Sequence, residues 1–424
     1  MKKQIMMLIL MIGLVTAHAV VEWDEAGVSV FTGNNSVLEE SSVITSDGNC
    51  VIFWTESRAG FRSLLAQKID ENGNKLWQAE GVQLAIADDY FSDFRAISNQ
   101  DNEVYLAYLI NQKSDSNNKM FLQKLAADGE KSWGEDGKEI NGDYQITNPS
   151  LLLHLDGDLT VSWGKPDYYH KLSATRVHPT GVVADGWGED FSETSDLGIN
   201  LMNCGTGYTT HYQIALTEED GIFVSGIYDG DIYLQKVTSE GTRLFGNLGT
   251  FLVATGSLYD NEIKIQKSSD AYYLVWEADS NHLNLIKLSA DGEFLWDDAI
   301  SFAPNISSFN FLINSNEELI FALNYSGDEV TCLKLSNSGE LIWENQQFED
   351  IGQAKLLEMS LLEDDEILLS YTKEVEYPLK GYYLQKISDD GELLFAEEGL
   401  EIKQVNYRTA SVKAIINNYA GKIF

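Results

Sequence analysis

A basic residue followed five positions later by a glycine recurs seven times along this chain, each time with an aromatic residue shortly after. The copies are Lys68, Gly73 and Trp77; Lys124, Gly129 and Trp133; Arg176, Gly181 and Trp187; Lys236, Gly241 and Phe245; Lys287, Gly292 and Trp296; Lys334, Gly339 and Trp343; and Lys386, Gly391 and Phe395. The basic-to-glycine spacing never varies, and only the third copy inserts two extra residues before its aromatic. A fixed period of this kind means one supersecondary unit copied in series.

The flanks identify the unit. Tyr233-Leu234-Gln235-Lys236-Val237 and Phe121-Leu122-Gln123-Lys124-Leu125 alternate apolar and polar residues, the period of a β-strand. The glycine supplies the positive φ that a tight hairpin turn requires. A second hairpin precedes each of these. Residues 42–45 lead through Ser46-Asp47-Gly48-Asn49 into 50–54, and 94–97 lead through Asn99-Gln100-Asp101-Asn102 into 104–108. Later turns are expected at Asp156-Gly157, Asp220-Gly221, Ser269-Asp270, Asn314-Ser315-Asn316 and Glu363-Asp364-Asp365. Each repeat therefore has four strands, A to D, and the aromatics recur every 47 to 58 residues. One such sheet cannot bury both of its faces alone, so the expected fold is an all-β propeller of four-stranded antiparallel blades. No helical periodicity competes, and five prolines in 424 residues suit a chain made of strand ladders. The repeated basic residue is read as a solvated flank whose stem covers apolar surface. The aromatic is read as half-buried on strand D.

The ends bear on blade number. Residues 21–30, with Trp23 and Gly27, read as a D strand, while 410–416 and 421–424 read as an A strand and the start of a B strand. Together they would form one blade split between the termini. Eight blades are expected on this count, with seven as the alternative. The chain stops inside an apparent strand, which reads as a truncated carboxy terminus.

Lys2 and Lys3, an apolar run over 5–15 and Ala17-His18-Ala19 have the layout of a cleavable secretory signal over 1–19. The run is too short to span a bilayer. The expected product is a secreted, extracellular, cell-surface or periplasmic chain, a single propeller over 20–424 with no membrane insertion. A formal net charge of −37 disfavours nucleic acid, which needs a basic patch, and favours solubility. Cys50, Cys204 and Cys332 are too few and too scattered for a disulfide scaffold, and Cys50 and Cys332 read as small buried residues of strands. No metal motif is present. Asp70-x-Asn72-Gly73-Asn74 shares the spacing of a calcium loop but lacks its distal Glu, and reads as a hairpin turn.

The Lys-x4-Gly-x2-Leu-Trp copies, Lys68 to Trp77 and Lys287 to Trp296, resemble the repeats of secreted bacterial β-propeller proteins. The resemblance covers nearly all of the chain after residue 19. It implies the propeller fold and, often, a carboxy-terminal secretion-sorting domain, which is not visible here. It carries no catalytic residue. The tryptophans also make the chain superficially similar to quinoprotein propellers, but it lacks their vicinal cysteines and longer Trp-docking motif, so no cofactor is expected.

In such a fold the A–B and C–D turns share one face, and the D–A and B–C connections share the other. The first set is short throughout. The second varies, at 85–93, 111–119, 165–170, 190–210 and 373–381. Variable loops on a rigid scaffold are where binding concentrates. The candidate site is Asp167, Tyr168, Tyr169 and His170, between strands B and C of the third repeat, with Tyr208 in the long following connection. Exposed aromatics beside Asp and Asn suit carbohydrate or peptide recognition, although packing at a blade edge accounts for Tyr168 and Tyr169 somewhat more readily. A second candidate cluster is Arg58, Phe61, Tyr90 and Phe91. No Ser-His-Asp constellation or GxSxG motif is recognisable. The expected function is a secreted binding or interaction module, and the alternative is a glycan-active hydrolase or lyase.

Overall fold

The computed structural model describes residues 37–406, apart from 59, 71, 112–117, 141–144, 166–170, 189–197, 204–210, 229, 255–261, 279–281, 326–329, 346–353, 377–378 and 397–398, together with 416–417 and 422–423. Blade 1 is β1 (Val37–Ile44), β2 (Cys50–Arg58), β3 (Phe61–Ile69) and β4 (Val82–Ala87). Blade 2 is β5 (Tyr90–Ser98), β6 (Val104–Asn111), β7 (Asn118–Leu125) and β8 (Lys138–Ile140). Blade 3 is β9 (Thr147–Leu153), β10 (Leu159–Lys165), β11 (Lys171–Val177) and β12 (Ile199–Asn203). Blade 4 is β13 (Tyr212–Leu216), β14 (Ile222–Tyr228), β15 (Asp231–Val237) and β16 (Thr250–Ala254). Blade 5 is β17 (Ile263–Lys267), β18 (Tyr272–Ala278), β19 (His282–Leu288) and β20 (Ile300–Phe302). Blade 6 is β21 (Ile306–Ile313), β22 (Leu319–Tyr325), β23 (Val330–Leu335) and β24 (Leu341–Asn345). Blade 7 is β25 (Ala354–Leu361), β26 (Ile367–Glu376), β27 (Leu379–Ile387) and β28 (Leu400–Asn406), and β29 (Ile416–Asn417) and β30 (Lys422–Ile423) follow.

Each blade is an antiparallel meander in chain order. The first strands of successive blades touch one another from β1 through β5, β9, β13, β17 and β21 to β25, so they are the inner strands. The cores lie between blades. Val51, Phe53, Leu64 and Trp77 of blade 1 pack with Phe91, Phe94, Val104 and Leu106 of blade 2, all of them buried. Stability in such an arrangement is a sum over neighbouring interfaces. Among the described residues no helix is long and apolar enough to cross a membrane.

The propeller has seven four-stranded blades, which corrects the expectation of eight. Among the described residues the strand β29 touches β25 but pairs only with β30, as a separate two-stranded sheet. Residues 21–30, the other half of the expected split blade, lie outside the described residues. In six blades the D strand also sits later than expected, β24 with Trp343 being the exception. Trp77 precedes β4, and a second glycine, Gly81, with φ of +81°, turns the chain into it. The segment 190–210 is accordingly not one long connection, because β12 lies within it. Residues 85–93 and 373–381 are likewise mostly strand.

The repeated basic residue is not solvated, which is a second correction. Lys68, Lys124, Arg176, Lys236 and Lys334 are buried, each facing an acid of its own A–B turn. Lys68 Nζ lies 2.8 Å from Asp47 and Lys124 Nζ 2.8 Å from Glu103. Some of these pairs reach the next blade. Lys334 binds Glu318 of its own blade at 2.7 Å and Asp389 of blade 7 at 2.5 Å. Arg176 is the most elaborate: it binds Asp156 (2.8 Å) and Asp158 (2.7 Å) of blade 3 and Asp220 (2.6 Å) of blade 4. Asp220 also takes His154 Nδ1 at 2.9 Å, while His154 Nε2 meets Thr160 Oγ1 at 2.7 Å.

The aromatic and the glycine form a second tie between blades. Trp77 Nε1 donates to the Ala127 carbonyl (3.0 Å), Trp133 to Pro179 (3.0 Å) and Trp343 to Asp389 (2.9 Å), always in the C–D turn of the following blade. The indole then lies against that turn's glycine: a Cβ on Gly129 would meet Trp77 at 2.8 Å, and one on Gly391 would meet Trp343 at 2.7 Å. Glycine is required there by contact as well as by its positive φ. The glutamine before the basic residue, in four copies, holds the turn to its strand. Gln123 Oε1 accepts from the Lys124 and Trp133 amides (3.0 and 3.2 Å), and its Nε2 donates to the Gly134 carbonyl (2.9 Å). The Asp70 turn forms as expected, with Oδ1 accepting from the Asn72 and Asn74 amides (2.9 and 2.7 Å).

These ion pairs imply a pH dependence. Burial alone would raise the Asp220 carboxyl, but hydrogen bonds from Arg176 and His154 outweigh it and hold the group below its ordinary value. Burial pushes the His154 imidazole down against the pull of Asp220. Glu318 is lowered in the same manner as Asp220, with Lys334 as its main partner. All three resist protonation more in the folded chain than in the unfolded one, whereas Glu277 and Glu358, raised by burial, act in the opposite sense. Stability is therefore expected to be full above pH of about 6.5, to begin falling below it as unfolded chains take the proton His154 refuses, and to fall again below about pH 4. Urea midpoints from pH 8 to 3 measure this. His154→Gln should flatten the upper window, and a midpoint that rises on acidification through pH 6 would contradict the assignment.

Candidate binding face at the mouth of the channel

The inner strands are built in one frame. Counting three residues into each second strand, the register places Ser41, Arg95, Ser150, Gln213, Lys264, Asn310 and Glu358 at the same height around the centre, opposite Phe53, Ala107, Ser162, Ser225, Val275, Ala322 and Ser370. Every member of that layer is polar. Two residues nearer the A–B turns the layer is Val43, Ile97, Leu152, Ala215, Gln266, Leu312 and Ser360, mostly apolar. The channel thus becomes polar toward the end where the D–A and B–C connections lie.

A cavity of about 220 Å³ opens at that end across the inner strands of blades 2 to 5. Arg95, Ser150 and Gln213 of the polar layer line it, with Asn148, His211 and Glu262 one step closer to the mouth and Tyr212, Pro149 and Ile263 between. The Tyr212 hydroxyl donates to the Asn148 carbonyl (2.6 Å) and accepts from Ser162 Oγ (3.1 Å), and burial pushes its phenol up. Asn148 has φ of +48°, and Asp93, at the bulge before Arg95, has φ of +51°. Short polar side chains tolerate this left-handed backbone, which is concentrated at functional sites. Glu262 is held by Lys264 at 3.0 Å. Arg95 is exposed, and its Nη1 donates to the Phe94 carbonyl at 2.9 Å. Among the described residues no carboxylate lies within ion-pair distance of Arg95.

The second sequence-derived cluster is at the same end, between blades 1 and 2, and the structure divides it. Phe61 and Tyr90 are 53% and 47% exposed. Arg62, unnoticed in the sequence, stacks on Tyr90 with its guanidinium carbon 3.5 Å from the ring centre. Phe91 is instead buried, 5.9 Å from the Tyr108 ring, because alternation along β5 turns it into the core between blades. Arg58 pairs with Phe61 in the hairpin register, and its side chain lies outside the described residues. Asp167, Tyr168, Tyr169, His170 and Tyr208 also lie outside them. Lys165 and Lys171, which flank the first four, pair at the end of the β10–β11 ladder.

No family model and no curated protein sequence matches the chain. Solved structures do. A prolyl endopeptidase aligns at 14% identity over 85% of this chain and 49% of its own, with a TM-score of 0.49, so this chain spans about half its length. An ulvan lyase of a new polysaccharide lyase family aligns at 11% identity over 73% and 82%, with a TM-score of 0.45. The WD40 domain of SCAP from fission yeast aligns at 11% identity over 91% and 90%, with a TM-score of 0.46. Likeness at this level adds nothing about activity to what the strand topology shows.

The buried cysteines and the ion-paired histidines lie away from this mouth. Cys50 and Cys332 are fully buried in β2 and β23, as expected, and burial pushes the Cys50 thiol up to about 12 and the Cys332 thiol higher still. His154 and His178 are engaged by Asp220 and Asp158 on the opposite face. Arg95, His211 and Glu262 were not singled out in the sequence. Their signal was a charged or polar residue on the innermost strand, at the same height in every repeat.

Proposed function

We propose that the protein is an extracellular binding module that engages a carbohydrate or peptide chain on the face formed by its D–A and B–C connections. The observation that carries this reading is the exposed Tyr90 with Arg62 stacked on it and Phe61 on the adjacent hairpin, at the end where the channel turns polar. An aromatic face, a cation and hydrogen-bonding groups on a rigid scaffold are what such ligands require. On the other face, the described motif side chains are taken up in ion pairs and indole hydrogen bonds between blades, which leaves that surface little adaptability.

Replacing both Phe61 and Tyr90 by Ala should leave the melting temperature nearly unchanged, because both rings are half exposed. Affinity for the ligand found on a glycan and peptide array should fall by about 2 kcal/mol, some 30-fold. Unaltered binding together with a lowered melting temperature would mean that the rings pack against the blades and do not bind. A second reading, a glycan-active lyase or hydrolase, is favoured by the presence of His211 and Glu262 in one cavity, where they could serve as base and acid. Polysaccharide turnover abolished by Glu262→Gln or His211→Asn would establish that reading over the first.

A further inference from the structure

We infer that the cavity at the channel mouth recognises a carboxylate-bearing sugar, a uronic acid residue, and that Arg95 is the group that takes the carboxylate. The inference rests on the reading that this face binds carbohydrate.

Charge sets Arg95 apart from the basic residues of the repeat. The chain has 66 acidic and 29 basic residues, so a cation finds an acid easily. All seven basic residues of the repeat do so, down to Lys287 at 3.8 Å from Asp270 and Lys386 with Glu366. Arg95 occupies the equivalent height in blade 2 to Ser150 and Gln213, faces the cavity with them, and has no carboxylate partner among the described residues. Its fork of donors fits a carboxylate in a way that a lysine does not.

The remaining lining suits the rest of a sugar ring. Asn148, Ser150 and Gln213 offer neutral amide and hydroxyl groups for ring hydroxyls. A volume of about 220 Å³ lies below the roughly 300–1,000 Å³ of pockets for drug-sized ligands, and matches one ring better than a chain. Glu262 on the opposite wall, neutralised in part by Lys264, accepts hydrogen bonds from hydroxyls and repels a second anion, so the carboxylate is directed toward Arg95. A peptide carboxy terminus would want an apolar pocket for its last side chain, and the lining supplies only Pro149, Ile263 and the Tyr212 ring, whose hydroxyl is already taken up by Asn148 and Ser162.

The test uses trimers of galacturonate, glucuronate and mannuronate, each beside its methyl ester, titrated calorimetrically into the full chain at pH 7. The esters keep the ring and remove the charge. At least one acid trimer should bind tenfold or more tighter than its ester. Arg95→Gln should abolish that preference while leaving the melting temperature unchanged, and Arg95→Lys should restore part of it. Equal affinity for acid and ester, or an acid preference that survives Arg95→Gln, would overturn the inference and leave the carbohydrate reading intact. Arg95-dependent binding of a peptide with a free carboxy terminus, where the trimers fail, would overturn it in favour of peptide. Failure of every saccharide and peptide on the array, with the wild type folded, would remove the binding reading itself.

Discussion

Replacing Arg176 by Met is expected to cost the fold about 3–5 kcal/mol, the size seen when one partner is removed from a buried ion pair. Its guanidinium is 5% exposed and is bound by three aspartates on two blades. Methionine fills much of the volume but leaves Asp158, itself 5% exposed, with His178 at 2.8 Å in place of the lost guanidinium as its remaining side-chain partner, beside Asp156 and Asp220. Arg176→Lys should recover only part of the loss, because one ammonium cannot reproduce the separate bonds from Nε, Nη1 and Nη2. Adding Asp158→Asn to the methionine variant should restore part of the loss, since a buried carboxylate that keeps only His178 is the largest single penalty. Urea denaturation of the four proteins measures this. If Arg176→Met is within 1 kcal/mol of wild type, water reaches the site and the cluster is not a tie between blades.

The second large effect concerns the indole-on-glycine contact. Gly391→Ala is expected to destabilise by about 2–5 kcal/mol, combining the left-handed backbone penalty with overpacking. Its φ is +86°, and the new methyl would stand 2.7 Å from the Trp343 ring. Gly134→Ala is the control. That residue has φ of +90° but nothing within 4 Å of the added carbon, so only the backbone penalty of about 1–2 kcal/mol applies. The difference between the two isolates the contact between blades 6 and 7. Equal losses would mean that Trp343 moves aside, and that its bond to the Asp389 carbonyl contributes little.

The sequence by itself determined the repeat unit, the hairpins and the class of fold. A period-two pattern and a glycine at positive φ are local properties, read from a few neighbouring residues, and recurrence at a fixed spacing does the rest. That is why the A–B turns fell where expected and why Cys50 and Cys332 were placed as buried strand residues. It did not determine the count of blades, because pairing of the two chain ends is a long-range contact with no local signature. Among the described residues the structure gives seven four-stranded sheets, with β29 and β30 pairing only each other.

Only the tertiary structure decided what the motif does. A lysine between apolar neighbours reads as a solvated flank until the acid of the adjacent turn, 16 to 21 residues away in Lys334–Glu318 and Lys68–Asp47, is brought to its head group. The Trp of a repeat likewise meets the Gly of the next blade, as Trp77 meets Gly129 and Trp133 meets Gly181, and not the Gly of its own. The site follows the same division. Exposed Tyr90 and Phe61 were legible as aromatics near turns, but alternation that buries Phe91 depended on the register of β5 against β6. Arg95 was legible as a charge within a strand and nothing more. Its neighbours Ser150, Gln213 and Glu262 come from three other blades, and a cavity between inner strands exists only once the ring of blades places them at one height.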